Sequence, residues 1–349
     1  MAASAEPAPA NPLFTIFLIL AMLAVWGLVQ DAINTADGGS IDLRNRITGV
    51  RLAAEGRDPY FYKWTRREDE RFCDLFNAPA SPVSHTTVTP TTLTTFYPLK
   101  NLPYRVSQCL WFLIQYAALG LGFYAWCRAS PRPLWLWAGM LTCLFCLSPH
   151  WRLHVDRGQS YVLYAALFLA IVSLHQKPRS PNLSPASLAT ALLALLRPTY
   201  GILLGVTLLQ RRTAAFLATA LGLLLWGLLP MLVGGVRIWN DYFKAMAIHA
   251  QLYLSQTKFP PARFSATDII EGLSINTLGG FARIPFADTS LYKLISFHLS
   301  PAVLLGSWAS LAAASSFLMF RRRGAASPSF WWVLSAWLVI GDFLLPAYR

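Results

Sequence analysis

Charged side chains are scarce in this chain. Asp, Glu, Lys and Arg make up 13 % of its 349 residues, about half of the roughly one quarter usual in soluble domains. That shortage excludes a soluble enzyme of ordinary make-up, and also a disordered chain, which needs charge in place of apolar residues. Acids are the scarcer sign: 16 Asp and Glu stand against 29 Lys and Arg, for a formal net charge of +13. Such an excess can mark a nucleic-acid footprint, but here the basic residues are scattered between apolar runs with no RNA- or DNA-binding motif around them. Cysteine is sparse as well. Cys73, Cys109, Cys127, Cys143 and Cys146 are an odd number, four of them within apolar runs. Cys143 and Cys146 have the C-x-x-C spacing, but within 140–147 they read as one face of a buried helix, and no second pair completes a zinc site.

What is abundant is apolar. Hydrophobic residues reach 55 %, with 13 Trp, 13 Tyr and 21 Phe, and the mean hydropathy is +0.44. Aromatic rings in such numbers suit the level where hydrocarbon meets water, so the bilayer is the solvent for most of this chain. Apolar runs cover 13–29, 107–127, 134–149, 160–175, 186–196, 200–210, 213–235, 302–320 and 329–347. Several approach the roughly 20 residues that cross a membrane as a helix. The first lacks the basic flank and small-residue cleavage site of a signal peptide, so it reads as an uncleaved helix. The pair 186–196 and 200–210, broken at Arg197-Pro198, reads as two short helices meeting in the membrane or as a re-entrant hairpin.

Short connections set the orientation. Arg128, Arg132, Lys177, Arg179, Arg211, Arg212 and Arg321 to Arg323 are nine basic residues with no acid among them, which the positive-inside rule places in the cytoplasm together with the N-terminus. Glu6 is the one acid that falls on that side. The polar segments 31–105 and 236–299 and the small loop 150–158 are then extracytoplasmic, and chemistry is expected on that face. The whole of 1–349 reads as one integral membrane domain.

In the first outer segment, apolar residues at 43, 47, 50 and 54 have helical spacing, with Arg44, Arg46 and Arg51 off the stripe. This predicts a helix resting on the membrane surface, its guanidinium groups free to meet anionic headgroups or phosphates. Gly56 stops it, and Arg57-Asp-Pro-Tyr60 makes the following turn. Asp42 at its start reads either as an N-cap carboxylate or as a catalytic base at the water–membrane boundary. Residues 86–95, Thr-rich and interrupted by Pro90, read as an extended loop, and Glu68-Asp-Glu70 between Arg67 and Arg71 as a solvated charge cluster. His150 and His154 are four apart, but Pro149 suggests a loop and no Glu accompanies them, so no metal is expected.

Asp42, Gly56 and Asp58-Pro59-Tyr60, then Gly158-Gln159 at the start of a span, Arg197-Pro198 closing an apolar run and Leu208 to Arg212, resemble in their order the landmarks of polyprenyl-phosphate-dependent glycosyltransferases of the GT-C type, glycosyltransferase family 87 in particular. The likeness covers about 12–235 well and the rest loosely, and the family more usually has Lys-Pro where this chain has Arg197-Pro198. The resemblance implies an all-α polytopic membrane protein of the cytoplasmic (inner) membrane, a GT-C-like bundle of about nine transmembrane helices with juxtamembrane helices in the first outer loop. It implies inverting transfer of a hexose, commonly mannose, from a polyprenyl-phosphate-linked sugar donor to an extracytoplasmic lipid or glycan acceptor, with neither metal nor other cofactor. The family's first-loop aspartate carries over to Asp42 as general base.

Phosphate contacts are then expected from Arg197, Arg157, Arg44 and Arg46, and substrate contacts from Gln159, Tyr60, His85 and His249. Each has a plainer reading. A lone Arg in an apolar segment costs about 2.5–3.5 kcal/mol on insertion scales, so Arg197 is kept for a function, or it snorkels or pairs with a carbonyl freed by Pro198. Arg157 equally suits a salt bridge with Asp156, and Gln159 a helix cap. A transporter or lipid flippase, a membrane scaffold and an inactive relic are the rival functions. The spans lack the central acids and the repeats common in carriers. The end at Arg349 reads as C-terminal truncation, which is what favours the relic.

Overall fold

Each of the nine apolar runs forms a helix. The computed structural model describes residues 12–38, 40–65, 67–74, 81–129, 134–176, 185–209, 213–255, 301–323 and 327–344. Glu6, Arg132, Lys177, Arg179, the landmark residues Arg211 and Arg212, residues 256–299 of the second outer segment, and Arg349 lie outside them. The helices are α1 (Pro12–Gly38), α2 (Ile41–Ala54), α3 (Pro90–Thr95), α4 (Tyr104–Ala129), α5 (Leu134–Thr142), α6 (Pro149–Asp156), α7 (Tyr161–Gln176), α8 (Pro185–Leu196), α9 (Ile202–Leu209), α10 (Thr213–Gly234), α11 (Ile238–Ser255), α12 (Pro301–Arg323) and α13 (Pro328–Leu344). No strand occurs among the described residues. Among the described residues three stretches, Pro12–Asp37, Tyr104–Tyr124 and Thr213–Gly234, are long and apolar enough to cross a membrane, and Trp135–Cys146, Tyr161–Leu174, Pro185–Leu196 and Ser329–Leu338 are shorter apolar helices. The chain is an all-α polytopic membrane protein.

The described residues group into two compact units. One holds α1, the body of α4 from Gln108, α5 and α6; the other holds α2, α3 and the helices from α7 onward.

In the first unit α1 packs along α5. Gly27 allows this, because a Cβ there would lie 2.8 Å from Cβ of Phe145. After α5 the chain widens into a π-helical turn, Cys143–Leu147. That turn divides the cysteine pair, since Cys143 is exposed and the Cys146 thiol is buried against the Leu23 carbonyl at 3.1 Å. Pro149 then opens α6 instead of breaking the chain: it occupies the first helical position, where its missing N–H costs nothing, and the Ser148 hydroxyl accepts from the Trp151 amide at 3.1 Å. The expectation of a loop here was therefore wrong. α1 runs on past its apolar stretch to Gly38 and carries Asp31 into a buried cluster. Asp31 Oδ1 pairs with Arg152 Nε of α6 at 3.2 Å, while Asp31 Oδ2 accepts from Tyr116 Oη at 2.6 Å and from Trp151 Nε1 at 2.9 Å. Arg152 also donates to the Phe145 carbonyl of the π turn at 3.2 Å. Both Asp31 and Arg152 are 1 % exposed.

In the second unit α8 and α10 pack closely through small residues. α10 turns Ala215, Ala218, Thr219 and Gly222 inward, and a Cβ on Gly222 would stand 2.8 Å from Cβ of Ala191. Its other side leaves Phe216, Leu217, Leu221, Leu224 and Leu228 exposed, as lipid contact requires. Pro198 ends α8, and a short 3-10 turn, Pro198–Gly201, leads into α9. The carbonyls left open at the end of α8 are met by the outer segment. Thr89 Oγ1 donates to the Leu195 carbonyl at 2.7 Å and Thr92 Oγ1 to the Leu196 carbonyl at 3.0 Å. Thr89 also caps α3 by accepting from the Thr92 amide at 3.2 Å, with Pro90 in the first turn. The expected extended loop over 86–95 is thus half helix, because a Thr-Pro start is a cap and not a break. Thr89→Val should lower stability in detergent by about 1–3 kcal/mol, the cost of stranding a buried carbonyl, and Thr89→Ser should not; thermal denaturation of the two variants tests this.

Candidate functional site

α2 is the centre of the candidate site. Its C-terminus closes as the sequence predicts: Gly56 takes a left-handed φ of +71°, and the Arg57 amide reaches back to the Leu52 carbonyl at 2.9 Å. Asp58 Oδ1 then accepts from the Tyr60 amide at 2.8 Å. Burial raises the Asp58 carboxyl above its usual range, opposed by that hydrogen bond. Glu68, Asp69 and Arg71 form the expected solvated charge cluster, with Arg57–Glu68 at 3.3 Å, Arg71–Asp69 at 2.9 Å and an Arg71–Glu55 pair.

The helix does not rest on a surface with one wet face. Leu43, Ile47 and Val50 are fully enclosed as the apolar stripe predicts, but Asp42, Asn45, Arg46, Thr48 and Gly49 are buried too. The strap formed by residues 81–104 covers the sides that the stripe leaves polar. A Cβ on Gly49 would meet Leu93 Cδ2 at 3.0 Å and Thr86 Oγ1 at 3.3 Å, a tight fit that would push these side chains back. The Arg46 guanidinium lies 5.9 Å from the Phe96 ring, and Arg51 donates to the carbonyls of Lys100, Leu102 and Arg71 at 2.8, 2.7 and 3.0 Å. Guanidinium groups expected to be free are therefore held against the strap, with their charges fixed in place.

Helical geometry sorts the polar residues of α2 onto two faces. Asp42, Asn45, Arg46 and Gly49 follow one another at three and four residues and share one face. Arg44, Thr48 and Arg51 share the other, about 200° round the axis from Asp42. Asp42 is in the first turn, one residue inside the start at Ile41, and Ser40, with φ +50°, precedes the helix.

The Asp42 face meets the turn at Ser84–Thr86. Asn45 Nδ2 donates to the His85 carbonyl at 2.8 Å, and His249 of α11 pairs through Nε2 with the Ser84 carbonyl at 3.2 Å. Burial pushes the His249 pKa down and the neighbouring His85 adds to that, while the Ser84 contact pulls it up. The two histidines singled out in the sequence are thus brought together. Asn45 Oδ1 and His85 Nδ1 are buried without a hydrogen-bond partner among the described residues. Asn45 was missed in the sequence, although its place three residues after Asp42 was the available signal. Arg197 enters this unit at the junction of α8 and the 3-10 turn, directly after the two carbonyls that Thr89 and Thr92 cap.

Tyr60 is corrected from substrate contact to core residue. It is 0 % exposed, its hydroxyl donates to the Val88 carbonyl at 3.1 Å, and it packs in a cluster with Ala53, Val83, Leu93, Ile238 and Ala245.

Arg157 and Gln159 belong to the first unit and are both buried. Gly158, at φ +68°, ends α6, and its carbonyl accepts from Trp111 Nε1 at 3.0 Å. Burial lifts Asp156 to about 6 against the pull of the Arg157 charge, and Asp156 is in no ion pair among the described residues.

A second face of α2 opens on a cavity of 460 Å³ lined by Arg44, Arg51, Arg71 and Lys100. Compared with known proteins, residues 87–345 match the sequence model of glycosyltransferase family 87. That span includes Arg157, Gln159, Arg197 and His249 and begins after Asp42. No curated protein and no solved structure matches the chain.

Proposed function

The chain belongs to glycosyltransferase family 87 and is a membrane glycosyltransferase, and from that premise we propose that it transfers a hexose from a polyprenyl-phosphate sugar to a lipid or glycan acceptor, with inversion. Mannose is the family default. The reaction is assigned to the extracytoplasmic face of the inner membrane, where the polar outer segments lie by the positive-inside reading.

Asp42 is the proposed base. Its carboxylate takes the proton of the acceptor hydroxyl as that oxygen bonds to the anomeric carbon, and the bond from that carbon to the phosphate oxygen breaks on the opposite side. The observation that carries this reading is the company Asp42 keeps: one turn along the same face, Asn45 Oδ1 is a buried acceptor without a partner among the described residues, and the ring nitrogen Nδ1 of His85, whose carbonyl Asn45 binds, is buried without one as well. Buried polar atoms are nearly always satisfied, and sugar hydroxyls would satisfy these two. His85 and His249 are the proposed acceptor contacts.

The leaving phosphate departs with its charge stabilised where cations are already fixed. Arg46, on the Asp42 face, and Arg197 are proposed for it. For Arg157 and Gln159, which belong to the first unit, donor and sugar contacts are proposed from the resemblance alone. Arg44 is on the other face of α2, away from Asp42.

The test supplies membranes bearing the protein with labelled polyprenyl-phosphate hexoses and determines the anomeric configuration of the product. Transfer with inversion is expected. Retention would refute the mechanism, transfer from a nucleotide sugar alone would refute the donor, and movement of a lipid across liposomes without transfer would favour a flippase. Arg197→Ala should raise the donor KM by about tenfold or more, the worth of a hydrogen bond to a charged group; an unchanged KM in a folded variant removes Arg197 from the donor site.

A further inference from the structure

The face of α2 opposite Asp42 carries a separate concentration of positive charge. Arg44, Arg51, Arg71 and Lys100 converge on the 460 Å³ cavity, with Glu70 the single acid on its wall. Arg71 is neutralised by Glu55 and Asp69. Arg44, Arg51 and Lys100 are in no ion pair among the described residues. Like charges held close together repel one another, and a bound anion would lift that cost. The effect reaches Arg51, whose pKa is lowered first by burial and then by the charges of Arg71 and Arg44, against the opposing charge of Asp69.

The three cations are not equivalent. Arg51 gives its Nε and both terminal nitrogens to backbone carbonyls, so it contributes fixed charge and holds the wall in shape. The Arg44 guanidinium carbon lies 4.1 Å from the centre of the Tyr104 ring, and Lys100 sits 3.9 Å over the Tyr97 ring with a 2.7 Å hydrogen bond to its hydroxyl. A ring contact orients a guanidinium, whose five N–H donors leave others for phosphate oxygens. Tyr104 is also the first residue of the candidate span Tyr104–Tyr124. One wall of the cavity is therefore at the end of a candidate membrane helix, the level of lipid headgroups. Its volume is that of a small-molecule site and exceeds what a bare ion needs.

We infer that the cavity of Arg44, Arg51 and Lys100 is a binding site for a phosphate ester, distinct from the site around Asp42. Arg44 and Lys100 supply the hydrogen-bond donors, and Arg51 the standing charge. The ester comes either from an anionic phospholipid headgroup or from a free phosphate ester, and the inference does not depend on the proposed sugar transfer.

The test is direct binding to the purified full-length protein in neutral detergent, by native mass spectrometry for lipid and calorimetry for soluble ligands. The probes are phosphatidylglycerol, phosphatidylcholine, glycerol phosphate and inorganic phosphate. Wild type should bind phosphatidylglycerol at least about tenfold more tightly than phosphatidylcholine, with the preference weakening as salt rises. R44Q/K100Q should lose most of that preference, while R57Q, outside the cavity, should keep it. Glycerol phosphate binding as tightly as the lipid, and equally lost in the double variant, would identify the free ester as the source. No anion preference in wild type overturns the inference, as does an unchanged preference in R44Q/K100Q with wild-type melting behaviour. If the double variant misfolds, K100Q alone decides: a several-fold loss supports the site and no loss overturns it.

Discussion

Asp42→Asn is expected to slow sugar transfer by about 10²- to 10⁴-fold, the usual contribution of a positioned general base. The substitution keeps the shape of the side chain and removes its charge. Asp42 sits in the first turn of α2, where a carboxylate interacts with the helix dipole for about 0.3–1 kcal/mol, so the loss of stability should be small beside the loss of rate. Donor affinity should be nearly unchanged, because the base meets the acceptor hydroxyl and not the phosphate. The measurement is turnover of a labelled donor in membranes, normalised to folded protein. Asp42→Asn turning over as fast as wild type would remove the base from Asp42. Asp42→Glu, which restores the charge with one more methylene, should recover part of the rate, because proton transfer depends on position as well as basicity.

Asp31→Leu and Arg152→Met should each destabilise the protein by about 3–5 kcal/mol, the cost of leaving one member of a buried ion pair behind. Both side chains are enclosed, and Asp31 also serves Tyr116 and Trp151. Removing the acid thus strands a guanidinium, a phenol and an indole N–H together. The double variant should recover part of the loss, because neither charge is then uncompensated, yet not all of it, because Tyr116 and Trp151 still lack their acceptor. Melting temperatures and yields in detergent across the four proteins form the cycle. Single variants as stable as wild type, or a double variant as unstable as the sum of the singles, would show that the pair is not coupled.

The contrast between these two aspartates shows what the sequence made legible. The apolar runs announced the helices they cover, because hydrophobic length is a local property, but not the 18-residue α11, which lies in the segment read as polar. The Gly56 stop and the turn at Asp58-Pro59 were likewise readable, since each depends on a residue and its immediate neighbours. Asp42 stood out by its place at the head of a predicted helix. Asp31 did not, because its partners come from α4 and α6, far along the chain. α3 and α6 were missed for a shared reason: Pro90 and Pro149 were read as interruptions, whereas at a first helical position behind Thr89 and Ser148 they begin helices. The arginines of α2 were legible as charges but not as contacts. Whether a guanidinium meets solvent, a ring or a carbonyl is decided by the strap at 81–104, and no spacing within α2 encodes that.

The capping of α8 by Thr89 and Thr92 also bears on the order in which the protein can be assembled. The hydroxyl of Thr89 and the carbonyl of Leu195 are 106 positions apart in sequence. A chain is made from its N-terminus, so the first outer segment leaves the ribosome long before the carbonyls it will cap exist. Until the end of α8 has been made, Thr89 and Thr92 lack those acceptors. These contacts of the strap are therefore completed late in synthesis, by a helix that arrives well after the strap has been made.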